Sequence, residues 1–262
     1  MRKPGRRMFR GAVVLCGAAV LGVVAAIPAA TTTDQATAHG HGQTRITGGT
    51  PALIADHPWV IALANTEGQL FCAGALYATN RVVTSAECAD KHTADEIVAV
   101  GNRTRLSDFT GVASGVTRVI PHPDWDPETG YADVAVLELA TPMPLATIPV
   151  AGAQETDVYA PGAVGSVLGW GSLAAGEDAT GELLRADVPI LDEQTCADAY
   201  PDYYDTASMF CASDPDLPSG ACEYDGGAPF VVGGKLVGVA SWGRGCDSDK
   251  PDVFTRVAMF AR

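Results

Sequence analysis

Short strand-like runs recur about every 8 to 20 residues through most of this chain, and no other feature of the sequence constrains the fold as much. The runs are rich in apolar and β-branched residues, and turn-forming residues separate them, which is typical of antiparallel sheets. The first six runs are residues 59–64, 71–76, 81–85, 97–100, 116–120 and 134–139. The second six are residues 164–170, 184–190, 209–212, 230–232, 236–242 and 253–257. Two sets of six strands predict an all-β chain with two small barrels.

Local turn and cap signals support this division. A Pro-rich stretch at residues 141–149 lies between the two sets and predicts a linker that crosses from one barrel to the other. Residues 232–235 read Val-Gly-Gly-Lys, and the two glycines accept the positive φ angles of a two-residue hairpin loop. Asp192 is a favourable N-cap, so residues 192–199 predict a short helix.

The chain begins with basic residues, then an apolar run, then small residues, which is the order of a secretory signal peptide. Five Lys and Arg precede residue 11, residues 11–27 carry no charge, and residues 36–38 fit a cleavage site. We expect a signal peptide over residues 1–38, a short pro-segment over 39–45 and a folded domain over 46–262. The apolar run is shorter than the about 20 residues of a membrane-spanning helix. The sequence therefore predicts a secreted, extracellular protein that keeps no membrane contact after the signal is removed.

Cysteine usage agrees with export. Of the seven cysteines, Cys16 lies inside the apolar run and is lost with the signal peptide, which leaves six. An even number in an exported chain predicts three disulfide bonds. No Cys-x-x-Cys pair occurs, so the spacing does not indicate a metal site, and we expect no metal and no other cofactor.

The folded domain is strongly acidic. From residue 46 onward, 11 Lys and Arg stand against 30 Asp and Glu, a balance of −19. Such a surface repels nucleic acid and anionic lipid and attracts basic partners. A high net charge also keeps an exported protein soluble, and this simpler explanation stays open beside the first.

Six motifs follow one another along the domain. They read RITGG at residues 45–49, FCAGAL with VVTSAEC at 71–76 and 82–88, DVAVLEL at 133–139, CEYDGGAP at 222–229, SWGRGC at 241–246 and KPDVFTRV at 250–257. In this order they resemble the activation junction, the catalytic histidine, aspartate and serine segments, the pocket wall and the last strand of the trypsin/chymotrypsin family of serine proteases.

The resemblance implies two six-stranded antiparallel β-barrels with the active site in the cleft between them. The N-terminal barrel would cover about residues 46–140 and the C-terminal barrel about residues 150–262. In members of the family, the chain continues past the last strand into a helix. The resemblance therefore implies that this helix is truncated here. The family pattern also implies three disulfides, each contributing about 3 kcal/mol by restricting the unfolded chain. These disulfides are Cys72–Cys88, Cys196–Cys211 and Cys222–Cys246.

The three catalytic positions of the family fall on Glu87, Asp133 and Gly226, and only Asp133 is the usual residue. Glycine offers no hydroxyl, so no acyl-enzyme can form at Gly226. A solvated glutamate has a pKa of about 4.3 and is a poor base for a hydroxyl at neutral pH. With two carboxylates facing each other, we expect Glu87 and Asp133 to share a proton and one pKa to rise.

The oxyanion hole and the specificity pocket depart from the family as well. The two oxyanion donors correspond to the N–H groups of Tyr224 and Gly226, and we expect Tyr224, in place of a glycine, to force the loop out of shape.

The specificity pocket corresponds to Gly220, Gly243 and Asp252. Gly220 replaces the aspartate at the base of the trypsin pocket, while Asp252 stands on the wall. A carboxylate there either attracts a Lys or Arg side chain or fills the pocket and turns to solvent, and the sequence leaves both open.

The activation elements of the family are present. Cleavage after Arg45 would free the amine of Ile46, which in the family inserts beside a buried carboxylate that corresponds to Asp225. Such an ion pair orders the pocket loops. An inherited junction that is never processed is the alternative.

Three functions follow from these residues. The leading prediction is a secreted homologue without catalytic activity that binds peptide or protein partners through the former substrate cleft. The alternative is an active trypsin-like serine endopeptidase with Arg/Lys preference, for which His92 is a candidate substitute base and Ser219 a candidate hydroxyl. A third hypothesis uses Glu87 and Asp133 as an acid/base pair or a cation site. Fold alone does not choose among them.

Overall fold

The structure, a computed structural model, describes residues 49–108, 110–214, 221–246 and 248–260. The predicted signal peptide, pro-segment and Arg45–Ile46 junction lie outside the described residues, so those limits stay predictions. Within the described part, no helix is both long and apolar enough to cross a membrane.

The first half of the domain is a closed barrel of six antiparallel strands. Its strand order is β2-β3-β4-β7-β6-β5, so that β2 and β5 pair and complete the circle. Buried side chains such as Ile61, Leu76 and Leu137 fill it, and each is fully removed from solvent. The strands are β2 (Val60–Ala64), β3 (Leu70–Ala78), β4 (Arg81–Thr84), β5 (Val98–Gly101), β6 (Val112–Pro121) and β7 (Ala135–Leu139).

The second half is a curled antiparallel sheet in the order β1-β9-β8-β11-β12-β13-β10. The short strand β1 (Thr50–Pro51) pairs with the beginning of β9. Directly after the end of β9, a bridge between Ile190 and Ala212 connects this side of the curl to β10. The other strands are β8 (Val164–Gly169), β9 (Leu184–Pro189), β10 (Met209–Ala212), β11 (Pro229–Val232), β12 (Lys235–Trp242) and β13 (Asp252–Arg256).

All twelve predicted strands are present, with ends that differ by a few residues. The largest difference is in β6, which begins at Val112 rather than at residue 116. The predicted helix is α2 (Glu193–Ala199), and the Asp192 side chain accepts a hydrogen bond from the Thr195 N–H at 2.9 Å as its N-cap. Pattern reasoning missed β1 and a second short helix, α1 (Ala86–Asp90).

The linker and the hairpin are as predicted. Residues 141–149 contact the first barrel where the Ile148 N–H donates a hydrogen bond to the Leu76 carbonyl at 3.0 Å. They join the second sheet where the Leu236 N–H donates to the Pro149 carbonyl at 2.9 Å. In the hairpin between β11 and β12, both central glycines have positive φ, 57° and 78°.

Three disulfides connect elements around the cleft between the two halves. They are the pairs that the family resemblance implies: Cys72–Cys88, Cys196–Cys211 and Cys222–Cys246. The first attaches α1 to β3, and the second attaches α2 to β10. These two therefore tie a short helix to a strand, whereas the third joins two loops, before β11 and after β12.

Candidate functional site

Asp133 lies at the bottom of the cleft and joins the two halves of the domain. Its side chain is only 1% exposed. Oδ1 accepts a hydrogen bond from the main-chain N–H of Glu87 at 2.7 Å, and Oδ2 accepts one from the Ser241 hydroxyl at 2.5 Å. Burial raises the pKa of Asp133 to about 6, because the lost hydration outweighs the two hydrogen bonds that favour the carboxylate. The family's orienting carboxylate is therefore present and firmly held.

Glu87, which the family resemblance assigns to the histidine position, directs its carboxylate to Lys91 and not to Asp133. It stands in the first turn of α1, and its side chain is 49% exposed. Its Oε1 accepts a hydrogen bond from the Lys91 ammonium at 2.7 Å, one helical turn further on. The expected pair of carboxylates sharing a proton is not formed, because Glu87 meets Asp133 through its backbone. Its charge is only a minor cause of the raised pKa of Asp133.

Gly226, at the nucleophile position, packs directly against the first disulfide. A Cβ at this position would lie 2.8 Å from Cys88 Sγ and 3.3 Å from Cys72 Sγ. The Gly226 carbonyl also accepts a hydrogen bond from the Ala73 N–H at 2.8 Å, which holds this residue to β3. The position thus has neither a side chain nor ready space for one.

Tyr224 has a backbone conformation that glycine adopts more readily than any other residue. Its φ is +71°, in the left-handed region that costs a residue with a side chain about 1–2 kcal/mol. Among the described residues, neither its N–H nor that of Gly226 has a hydrogen-bond acceptor. Distortion of the loop by the tyrosine, and with it the loss of the oxyanion hole, stays a prediction.

The nearby hydroxyl and imidazole groups are engaged elsewhere. Ser85 Oγ lies 4.0 Å from the Cβ position of Gly226, but Ser85 is buried and caps α1 by accepting from the Cys88 N–H at 3.2 Å. His92, the candidate substitute base, stacks on Phe71 with ring centroids 4.0 Å apart. Ser219 lies outside the described residues. Ser85 and His92 are therefore each held in another contact.

A cavity of about 200 Å³ opens beside Gly226 at the place of the specificity pocket. Asp252 and Gly243 both line it, as the resemblance implies. Asp252 Oδ2 accepts a hydrogen bond from the Ala221 N–H at 2.6 Å, and burial raises the pKa of this carboxyl to about 7. Asp252 therefore lines the cavity as a partly buried residue, and attraction of a Lys or Arg side chain stays a prediction. Gly220 lies outside the described residues.

A second, larger cavity of about 520 Å³ adjoins the first, since Trp242 and Gly243 line both. Its wall includes four aromatic residues and four acidic residues against two basic ones. The indole N–H groups of Trp125 and Trp242 are buried and lack a hydrogen-bond partner among the described residues. The other lining residues that bear on its chemistry are Glu87, Asp90, Lys91, Glu128, Tyr200, Tyr203 and Arg244.

Sequence reasoning missed several residues of this cavity. Lys91 was signalled by its spacing of four from Glu87 on a helix, which favours an ion pair. Trp125, Tyr200 and Tyr203 had no such signal, because Trp125 lies in a loop before β7 and the two tyrosines directly follow α2, and only the fold brings these segments together.

Asp225 is fully buried behind the cleft. It accepts hydrogen bonds from the N–H groups of Gly171 at 2.9 Å and Cys222 at 3.1 Å. Burial raises its pKa to about 7, and no basic side chain of the described residues pairs with it. Such a carboxyl suits an amine that reaches it from elsewhere in the chain. Arg45 and Ile46 lie outside the described residues, so their part in this stays a prediction.

The described residues contain no group of three or more His, Cys, Asp or Glu side chains that could hold a metal ion. The hypothesis of a cation held by Glu87 and Asp133 loses its geometric basis, because the Glu87 carboxylate is paired with Lys91.

Comparison with known proteins covers the whole described part of the chain. Residues 46–262 match the family model described as Trypsin. The protein Trypsin of Saccharopolyspora erythraea is 40% identical over 216 residues, which span 82% of this chain and 94% of that protein. Trypsin alpha-4 of Lucilia cuprina is 32% identical over 82% of this chain and 84% of its own length. Vitellin-degrading protease of Bombyx mori is 33% identical over 83% of each chain.

Proposed function

Because this chain belongs to the trypsin family of serine proteases, we propose that it is a non-catalytic member that binds peptide or protein partners through the family's substrate cleft. The observation that carries the proposal is Gly226. It supplies no nucleophile, and its Cα packs so closely on the Cys72–Cys88 disulfide that a Cβ would lie 2.8 Å from a sulfur atom. Without a hydroxyl, the covalent acyl-enzyme step of this family has no starting atom.

The proton-transfer half of the mechanism is also unsupported. A base in this family must take a proton from the nucleophile and return it to the leaving amine, which requires hydrogen-bond reach. Glu87 is half exposed, and its carboxylate accepts a hydrogen bond from the Lys91 ammonium at 2.7 Å. Asp133 remains only as a structural carboxylate that fixes α1 to β12 through Glu87 and Ser241.

The cleft nevertheless keeps the means to bind. The pocket beside Asp252 is open, and the larger cavity next to it offers aromatic walls and more acidic than basic groups. A lysine or arginine side chain is the natural occupant of a small cavity with one carboxylate on its wall. The strong negative charge of the domain favours encounter with basic partners. We therefore propose a basic peptide or protein segment as the ligand.

We further propose that the protein acts outside the cell. The signal-like first 38 residues and the three disulfides both suit an oxidising compartment.

The test is labelling by a serine-directed phosphonate together with peptidase assays on Arg- and Lys-containing amide substrates. The wild-type chain is compared with Glu87→His/Gly226→Ser, and Gly226→Ser alone serves as the matched control that has a hydroxyl but no base. We expect the wild type and the control to be silent and the double variant to be labelled at residue 226. Turnover with stoichiometric labelling of the wild type would reject the proposal and establish an active endopeptidase with a different nucleophile.

A further inference from the structure

Tyr224 is the only aromatic residue with a positive φ in the described part of the chain. The other non-glycine residues in this region are Asn102, a type that tolerates left-handed backbone, and the small Ala132. The strain at Tyr224 is not offset by burial, because 36% of the residue is exposed. No described residue makes a hydrogen bond or a ring contact with its side chain. The ring therefore contributes little to the stability of the fold.

The position of this ring is informative. Tyr224 belongs to a loop of which Cys222, Glu223 and Gly226 line the cavity that contains Asp252. Four large hydrophobic side chains are exposed among the described residues: Leu53, Val164, Tyr203 and Tyr224. Of these, Tyr203 lines the larger cavity, and Tyr224 lies in the loop that borders the smaller one. Tyrosine is enriched in protein interfaces because its rigid ring gives much contact area for little lost entropy.

Backbone strain that the fold does not need is a reason to look for function at the strained residue. Resting on the proposed function, we propose that Tyr224 is a partner-contacting residue. Its ring packs on the chain of a basic segment whose lysine or arginine side chain occupies the cavity beside Asp252. The partner is expected to be basic because, apart from the paired Glu87 and Lys91, the acidic Asp90 and Glu128 line the larger cavity against one cation, Arg244, and Asp252 lines the smaller one.

The inference is tested by fluorescence anisotropy with the purified chain and a labelled peptide of leucine, arginine and leucine flanked by glycines. Matched peptides carry lysine or glutamate at the centre. Tyr224→Gly removes both the ring and the backbone strain. Tyr224→Asn removes the ring and introduces a side chain that tolerates the left-handed backbone. Tyr224→Phe keeps the ring. Leu53→Ser is the control, since it removes an exposed apolar side chain outside both cavities. Melting temperatures are recorded for every variant.

We expect Tyr224→Gly and Tyr224→Asn to weaken binding of the arginine peptide at least about tenfold, as for an aromatic interface anchor. Tyr224→Phe and Leu53→Ser should bind like the wild type, and Tyr224→Gly should melt at a higher temperature. Asp252→Asn is measured as well, because it removes the carboxylate that the proposed function requires. If Asp252→Asn loses binding while Tyr224→Gly and Tyr224→Asn keep the wild-type affinity, the role of Tyr224 is overturned and the proposed function is left in place. If the wild type binds none of the basic peptides, both proposals fail.

Discussion

Glu87 meets Asp133 through its main-chain N–H, at 2.7 Å from Oδ1, and not through its carboxylate. The arrangement keeps the geometric role of the family's aspartate while removing the imidazole that it would orient. Asp133 also accepts from Ser241, so it is a buried anchor between the two halves of the domain. A buried carboxyl of this kind should be visible in the pH dependence of stability.

The first prediction concerns that pH dependence. The pKa of Asp133 is raised from 3.8 to about 6 in the folded chain, so the folded state holds this proton more tightly than the unfolded state does. Its contribution to the free energy of unfolding is therefore greatest below about pH 4, and it is lost as pH rises through 6. Asp133→Asn should be more stable than the wild type at pH 8, by on the order of 1–3 kcal/mol, and similar to it at pH 4.

Urea denaturation at pH 4, 6 and 8 measures this difference, with the exposed Asp202→Asn as the control. A wild type that is more stable than Asp133→Asn at pH 8 would show that the ionised carboxylate stabilises the fold.

The second prediction concerns the contact between Gly226 and the disulfide. Gly226→Ser should lower the free energy of unfolding by about 1–3 kcal/mol, because its Cβ lies 2.8 Å from Cys88 Sγ and one of the two must move. Gly115→Ser is the matched control, since no atom lies within 4 Å of a Cβ at that position. Denaturant unfolding of both variants makes the comparison. Equal stabilities would mean that the nucleophile position is roomier than the structure shows.

The third prediction concerns the pocket. Burial raises the pKa of Asp252 to about 7, so its charge is largely lost as pH falls below 7. Affinity for an arginine peptide should therefore rise about tenfold between pH 6 and pH 8, following the ionised fraction. Asp252→Asn should bind weakly at both values. Anisotropy titrations at the two pH values test this. A wild-type affinity that is the same at both values would contradict the prediction and indicate that the peptide binds in the larger cavity.

The fourth prediction concerns Asp225 and processing after Arg45. In the uncleaved chain, the raised pKa of Asp225 makes its contribution to stability decline as pH rises from about 4 through 7. If the amine of Ile46 pairs with this carboxyl after cleavage, the pKa falls and the decline disappears. The cleaved chain should therefore melt higher than the uncleaved chain at pH 8, and Asp225→Asn should abolish the difference. Identical melting profiles for both forms would argue against the pairing.

Much of the fold could be predicted because its signals are local. The strand runs, the Gly233-Gly234 hairpin and the Asp192 cap depend on residues that are neighbours in the chain, and each was found where expected. The short strand β1 was missed because two residues carry no pattern, and its pairing to β9 is purely tertiary. Helix α1 was missed because five residues give too short a periodicity.

The candidate site divides in the same way. The sequence by itself determined that Gly226 offers no hydroxyl and Glu87 no imidazole, and it predicted which positions of the family's cleft these residues occupy. Only the tertiary structure decided what these side chains do. It turned Glu87 to Lys91, placed Gly226 against the disulfide, and joined Asp133 to Ser241 across 108 residues of chain. The physical reason is that identity and local propensity are written along the chain, whereas contacts, burial and the resulting pKa values arise only when distant segments pack together.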